Sequence, residues 1–424
     1  MQSSKHVRHG PSGVITRFVA TALAALLNAC GGGGADEALT SSKATATVVV
    51  RAPQGTLLQT TWSAYPRLVR LAHQADPARN GRIVASLTEF DGGVLQAGFH
   101  ASGHDGATFT RLGTLHDAAF AGGLCCGTLF EMPRTVGALA AGTLLYAASV
   151  GQDQTGAAME HLIFRSDDGG ASFHRIAGAA CGKAAVPRRP GADGSGVWEP
   201  EFLIAADGRL ACIYSDETEP GYSQVLKITS TTDGLTWTAP HVIVAGPDAT
   251  DRPGMAVVRR LPSGRYAMSY ERCSTRRLDC TAYLRFSDDG LDWGAPATSG
   301  FQPRTADGHV LRHAPTMVWV PTAGTAHGAL LLIGQLVSVE GGGVDAAVNG
   351  HSMFVDDRGD GSGPWRLVAA PIGLPVAPAV GNWCENYSTQ LLPSSDGTGL
   401  VSLQTDFDDE GKCLARHGRG ALAN

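Results

Sequence analysis

Hydrophobic and polar positions alternate along most of this chain in short runs broken by glycine-centred turns. One order recurs in four places: an apolar run, a turn built on Gly, and a second apolar run ending in acid. The segments are "LVRLAHQADPARNGRIVASLTE", "FLIAADGRLACIYSDE", "VVRRLPSGRYAMSYE" and "QLLPSSDGTGLVSLQTD". Alternation on both sides of a tight turn predicts a β-hairpin. "LFEMPRTVGALAAGTLLYAAS" is a weaker copy, and "MVWVPTAGTAHGALLLIGQL" fits the same slot. The six hairpins begin near Pro66, Gly127, Pro200, Pro253, Pro315 and Ser388. Their mean spacing, about 64 residues, suits four-stranded propeller blades. The pattern predicts an all-β fold, a six-bladed β-propeller of four-stranded antiparallel blades.

A second repeat runs out of phase with the first: "SGHDGATF", "SDDGGASF", "STTDGLTW" and "FSDDGLDW", with central glycines Gly106, Gly170, Gly234 and Gly290. These octets resemble the Asp-box of sialidase-like propellers, a turn between the outer two strands on the face away from the active site. Residues 166–173 come close to the full pattern; elsewhere His104 and Thr232 stand where the Asp belongs, and Phe286 replaces the leading Ser. After Ser388 the chain has room for only three strands. The fourth of the last blade is expected from "ATATVVVRA", residues 44–52, which would leave no exposed sheet edge.

Composition agrees with this architecture. Fifty-five glycines against 17% charged residues suit a turn-rich β protein. A net charge of −6 with no Lys/Arg-rich run excludes a nucleic-acid footprint. Lys5, Arg8 and Arg17 precede "FVATALAALLNAC", an apolar stretch too short for a spanning helix, which reads as an export signal. It ends in Leu27-Asn28-Ala29-Cys30, which resembles a bacterial lipobox, and "GGGGADEALTSS" follows as a flexible tether. The chain is therefore read as a signal peptide at 1–29, a lipidated Cys30 with its tether at 30–43, and a propeller at 44–424. This implies an exported, lipid-anchored protein of the outer membrane or cell surface, touching the membrane only through Cys30. Eight further cysteines make disulfides plausible in such a compartment. Cys273 with Cys280 and Cys384 with Cys413 are the expected pairs, while vicinal Cys125-Cys126 is either a ring or two buried thiols. The chain has no C-x-x-C pair to support a zinc site.

Within this frame, acids at strand ends carry the candidate chemistry. An unpaired charge starting a buried strand costs several kcal/mol, order of magnitude, yet Glu199 lies between Trp198 and Pro200 at the start of the third inner strand. Glu271 ends the second strand of the fourth blade. Antiparallel neighbours begin and end on one face, so both acids are expected at the same mouth, from adjacent blades. Two carboxylates flanking one bond are what glycoside hydrolysis requires. Asp216 is the foremost rival acid, followed by Glu217, Glu89 and Asp406. Tyr65, Arg67, Trp198, Arg252, Arg312, His313, Asn386 and Tyr387 lie at other inner-strand starts and are the expected substrate-binding rim, together with Asp216 and vicinal Cys125 and Cys126.

From Trp198 to Glu271 the chain resembles glycoside hydrolase family 93, the exo-arabinanases with a six-bladed sialidase-like propeller. The matching pieces are "WEP", "YSDE", "SQVLKITSTTDGLTW", "RPGM" and "YAMSYE". The resemblance implies a retaining mechanism with Glu199 as nucleophile, Glu271 as general acid/base, an oligosaccharide substrate of the arabinan type, and no metal or organic cofactor. It leads to two further expectations: a raised pKa for Glu271, and Arg252 or Arg272 keeping Glu199 ionised. The alternative activity is an exo-sialidase with Tyr387 as nucleophile and Arg67, Arg252 and Arg312 gripping a carboxylate. Sialidases carry R-I-P in blade one, where this chain has Ala64-Tyr65-Pro66, so that clamp lacks its first arginine. A non-catalytic glycan-binding propeller is the remaining class, because the fold alone does not decide function.

Overall fold

Each expected hairpin becomes the inner half of a sheet, four-stranded in five of the blades and five-stranded in the fourth. The computed structural model describes residues 52–422, apart from 275–279, 323–324, 376–377 and 379–380. The export signal, Cys30, the tether and all of the strand expected at 44–52 except Ala52 lie outside the described residues. Trp62–Arg70, Ile83–Asp91, Val94–Ser102 and Thr110–Leu115 form blade I. Leu124–Glu131, Leu144–Val150, Glu160–Ser166 and His174–Lys183 form blade II, and Val197–Ile204, Leu210–Asp216, Val225–Thr231 and His241–Val244 form blade III. Blade V is Thr316–Val320, Ala329–Ile333, Ser352–Asp356 and Trp365–Ala369.

Blades IV and VI depart from the simple plan. Asp251–Arg260, Tyr266–Ser274 and Thr281–Ser287 are three regular strands of blade IV. Its outer edge is covered by a two-stranded excursion, His309–Arg312 with Leu336–Val339, joined through the single pair Thr281 and Arg312. Blade VI is Gln390–Pro393, Gly399–Phe407 and Cys413–Ala421, closed by Thr56–Leu57, whose residues pair with His417 and Arg416. The closing strand thus comes from the N-terminal side, as expected, but from residues 56–57, and Ala52 is not in a strand.

Six apolar clusters hold the blades, one at each seam. Phe99 of blade I stacks on Phe173 of the next blade with ring centroids 4.1 Å apart and meets Tyr146 edge-on at 5.4 Å. Further clusters join blades II and III, III and IV, IV and V, and V and VI. Leu68, Ile83, Ala85 and Leu87 pack on Val401, Leu403 and Ala415 to close the ring. Each fully buried Leu, Ile or Phe contributes about 1.5–3 kcal/mol relative to exposure, and period-two alternation within each strand supplies those faces.

The outer turns also differ in detail from the expected pattern. At blade III the carboxylate of Asp233, not position 232, accepts the N–H groups of Leu235 and Thr236 at 2.8 and 2.7 Å, and Thr231 Oγ1 accepts the N–H of Gly234. Asp289 and Ser287 repeat this at blade IV. The donors hold the Asp233 carboxyl far below the usual carboxylate range. Cys125–Cys126, Cys181–Cys212, Cys273–Cys280 and Cys384–Cys413 are disulfides. Among the described residues, no helix is long and apolar enough to cross a membrane.

Candidate active site

The inner strands bulge where their side chains meet the propeller axis. Strand register shifts between Ala64 and Arg67, Cys125 and Thr128, Trp198 and Glu201, and Gly254 and Val257. Inside each bulge one non-glycine residue has positive φ: Tyr65 at 54°, Cys126 at 62°, Glu199 at 56° and Met255 at 58°. Ala314 and Ser388 hold this conformation just ahead of the inner strands of blades V and VI. An extra residue of this kind kinks a strand and re-aims a side chain. Its left-handed backbone costs about 1–3 kcal/mol, so the surrounding sheet must over-determine it. Tyr65, Cys126, Met255 and Ala314 consequently converge in one buried cluster, with Cys125, Trp198 and Tyr387 packed against it.

Glu199 enters this hub from blade III. Its Oε2 accepts the Ser215 hydroxyl at 2.6 Å and the Met255 backbone N–H at 3.0 Å. Glu271 stands on the second strand of blade IV directly opposite Gly254 in the pairing. A Cβ on Gly254 would lie 3.4 Å from Glu199 Oε2, so the first acid rests over the backbone that pairs with the second. Glu271 Oε2 accepts the N–H of Ala314 in the next blade at 2.6 Å. The sulfur of Cys273, oxidised in its disulfide with Cys280, touches Glu271 Oε1 at 3.5 Å. It has no thiolate to offer a metal.

Environment separates the two acids electrostatically. Burial raises the Glu271 carboxyl to about 8; the Ala314 donor opposes this, and the charge of Glu199 adds to it. Burial also raises Glu199, against the bonds from Ser215 and Met255 and the positive charges of Arg252 and Arg67. Glu199 is half-buried by accessible surface, while Glu271 is 9% exposed. A side chain can reach water in a narrow funnel and still be desolvated by the walls around it. With two donors and two cations against one donor and the shared Arg252 charge, Glu199 is the acid that ionises first.

The expected rim divides into residues facing the hub and residues committed elsewhere. The Tyr65 and Tyr387 hydroxyls both meet Met255 Sδ, at 3.7 and 3.8 Å, with ring centroids 6.4 Å apart. Burial pushes both phenols well above their ordinary range. Trp198 lies under the Arg188 guanidinium at 5.1 Å. Arg67 is buried over the Tyr65 ring, and its Nη1 donates to Ser388 Oγ at 2.6 Å. Arg252 is held by Glu217, Gln224 and Ser223. His313 has positive φ next to Ala314, and its backbone pairs with Cys280 and Gln335. Arg312 lines a polar cavity of about 840 Å³ with Arg272, Tyr283 and Asp251.

Several expectations are corrected. Asp216 turns away from Glu199, because adjacent strand residues face opposite sides. It is 2% exposed and binds Lys227 Nζ at 2.9 Å and the Thr218 N–H and hydroxyl at 2.6 Å. Asn386 is a buried brace, donating to Gly334 O and Gln335 O. Arg272 contacts Tyr283, Ser299 and Asp251, and Arg67, rather than Arg272, joins Arg252 beside Glu199. Glu89 is saturated by Gln59, Gln96, His100 and Arg111; against its burial, the bonds from His100, Arg111 and Gln59 hold it at about 2. Asp406 is raised to about 6 by burial beside Arg416. Ser215, Gly254, Met255 and Ala314 were not singled out by sequence. Ser215 had a signal, since it is the neighbour of Asp216 on the other strand face. Past the hub, later residues of the same inner strands wall a second cavity of about 660 Å³, where Glu201 pairs with Arg259 at 3.1 Å.

No protein-family model matches the chain, and no curated protein matches it. Among solved structures it is similar to a Penicillium chrysogenum α-L-arabinanase complexed with arabinobiose, at 24% identity and TM-score 0.69, over 88% of this chain and 97% of that one. It is also similar to the family 93 α-L-arabinofuranosidase of Fusarium graminearum with arabinobiose, at 21% identity and TM-score 0.69 over the same shares. The NanB sialidase of Streptococcus pneumoniae matches at 10% identity and TM-score 0.56, over 89% of this chain and 71% of that one. These likenesses establish the shared six-bladed, sialidase-like propeller fold.

Proposed function

We propose that the protein is a retaining exo-glycoside hydrolase that cleaves α-L-arabinofuranosyl linkages in arabinan-type oligosaccharides. The observation that carries this reading is the meeting of Glu199 and Glu271 around Gly254, with their ionisation driven apart. Glu271, protonated at neutral pH, donates to the leaving oxygen while the Glu199 carboxylate attacks the anomeric carbon. Ester formation removes the negative charge of Glu199, and with it one cause of the raised Glu271 pKa. Glu271 thereby becomes a better base for the water that releases the sugar. Retention by this route requires carboxyl groups about 5–5.5 Å apart. The two arabinobiose complexes among similar structures support the substrate class. Export and lipidation at Cys30 would put the enzyme where polymeric glycan is met.

The sialidase alternative is less well supported. The Tyr387 hydroxyl meets Met255 Sδ and is pushed far above its ordinary range by burial and the two glutamates, and Arg67 is committed to Ser388 and Tyr65. A non-catalytic scaffold gives no reason to keep two desolvated acids side by side. The test is product analysis on linear arabinan, sialyl-lactose and aryl glycosides with wild type, Glu199→Ala and Glu271→Ala. Arabinose release by wild type alone, with azide restoring an inverted product to Glu199→Ala, is expected. Unimpaired hydrolysis by Glu199→Ala would overturn the assignment.

A further inference from the structure

Beside the hub, the same mouth carries aromatic surface that the proposed chemistry does not use. Trp383 is 49% exposed and Phe90 48%. Trp383 lies 5.4 Å from Trp62 and 6.2 Å from Phe407 by ring centroids. Phe90 is directly opposite Trp62 in the blade I pairing, so the two rings leave the sheet on one face. Trp62 starts an inner strand, and Phe90 and Phe407 end or nearly end second strands, the positions that put Glu199 and Glu271 at their mouth. Aromatic side chains of blades I and VI therefore gather at their seam: Trp62, Trp383 and Phe407 in ring contact, and Phe90 across the strand pair from Trp62.

The cluster is exposed but rigid. Cys384, next to Trp383, is bonded to Cys413, and Asn382 Oδ1 accepts the N–H groups of Cys384 and Glu385. Gln335 Nε2 donates to the Asn382 carbonyl at 2.8 Å. Lys412 ties to the Thr60 carbonyl, fixing the segment before Trp62. Clustered exposed aromatics, unlike single ones, mark interaction surfaces. Here the loop is held so that the indole stays in water. Four residues on, the same loop delivers Tyr387 to the hub beside Glu199 and Glu271.

We propose that Trp383, Trp62, Phe90 and Phe407 form a docking platform for the distal units of a neutral glycan whose terminal sugar occupies the hub, which rests on the glycosidase reading above. Stacking on the C–H faces of sugar rings needs flat, rigid aromatics. The surrounding charge selects against anionic partners: Asp91, Asp409 and Glu410 are exposed around the cluster, and the nearby ammonium of Lys412 is engaged.

The test separates docking from catalysis by substrate length and by binding without turnover. Trp383→Ala, and independently Phe90→Ala, should raise KM for linear arabinan about tenfold with kcat retained. An aryl arabinofuranoside, too short to reach the cluster, should be hydrolysed unchanged. Equal effects on long and short substrates, or none on either, would overturn the platform. Affinity electrophoresis of full-length Glu199→Ala in gels holding neutral arabinan, arabinoxylan or galactan gives the independent readout. Retardation lost on adding Trp383→Ala supports the platform even if wild type hydrolyses none of these glycans, a result that would defeat only the glycosidase reading. No retardation by any neutral glycan, or retardation by polygalacturonate alone, refutes it.

Discussion

Glu199 reaches across the seam between blades III and IV to accept the backbone N–H of Met255 at 3.0 Å. The same methionine presents its sulfur to the hydroxyls of Tyr65 and Tyr387. One residue, in the left-handed conformation at φ 58°, thus holds the carboxylate through its backbone and meets both phenols through its side chain. Catalysis of the proposed kind depends on such inter-blade contacts, and perturbing them one at a time should have separable effects.

The raised pKa of Glu271, about 8, belongs to a group that must keep its proton for leaving-group departure, so activity should fall as pH rises through that value. Glu199→Gln removes a like charge, and the Glu271 titration followed by carboxyl NMR should move to lower pH. The linkage to stability has a definite sign. A carboxyl raised above its unfolded value favours folding less and less as pH climbs from about 4.5 towards 8. Glu271→Gln should therefore raise Tm at pH 8–9, equivalent to roughly 1–3 kcal/mol, and leave it unchanged near pH 4.

Ser215→Ala deletes the hydroxyl that bonds Glu199 at 2.6 Å and helps hold its pKa down. Losing it should shift the acidic limb of the kcat/KM profile to higher pH. The rate at the optimum should fall about 10- to 100-fold, since a hydrogen bond to a charged group is worth roughly 1.5–3 kcal/mol. A pH–rate series on an aryl glycoside checks both.

Gly254 has no side chain where Glu199, Ser215 and Gln224 converge. In Gly254→Ala the new Cβ would come within 2.8 Å of Gln224 Nε2 and 3.4 Å of Glu199 Oε2. We expect kcat to drop by an order of magnitude or more, because misplacement of a reacting group by about 1 Å can cost on the order of 100-fold. Thermal denaturation should change little. A parallel loss of Tm would instead mean that the strand is disrupted.

Asp216 gives the converse outcome. Asp216→Asn should destabilise the fold by up to about 3–5 kcal/mol, the range for breaking a buried pair, with Lys227 left to Glu219 alone. Its kcat, KM and pH profile should remain those of wild type at a temperature where both are folded.

Much of this architecture was legible in the chain itself. Six hairpins at a regular interval fixed the blade number, because sheets of this size repeat with the length needed for four strands. Glu199 and Glu271 could be paired from the order of residues alone, since antiparallel geometry relates the start of one strand to the end of the next. What stayed hidden depended on contacts between blades and on the side each residue faces at the rim. Asp216 and Ser215 are neighbours in sequence, yet only Ser215 meets Glu199; Asn386 and Tyr387 are neighbours, yet only Tyr387 faces the hub.

The alternation of apolar and polar residues thus determined the fold, because each strand needs only its own periodicity and the next turn to define a sheet. The tertiary structure decided the site. A bulge turns Glu199 into the axis, and donors from Ser215, Met255 and Ala314, distant in sequence, set how each acid is charged. Electrostatic energies in a desolvated funnel depend on distances across blade seams, which no local pattern of residues encodes.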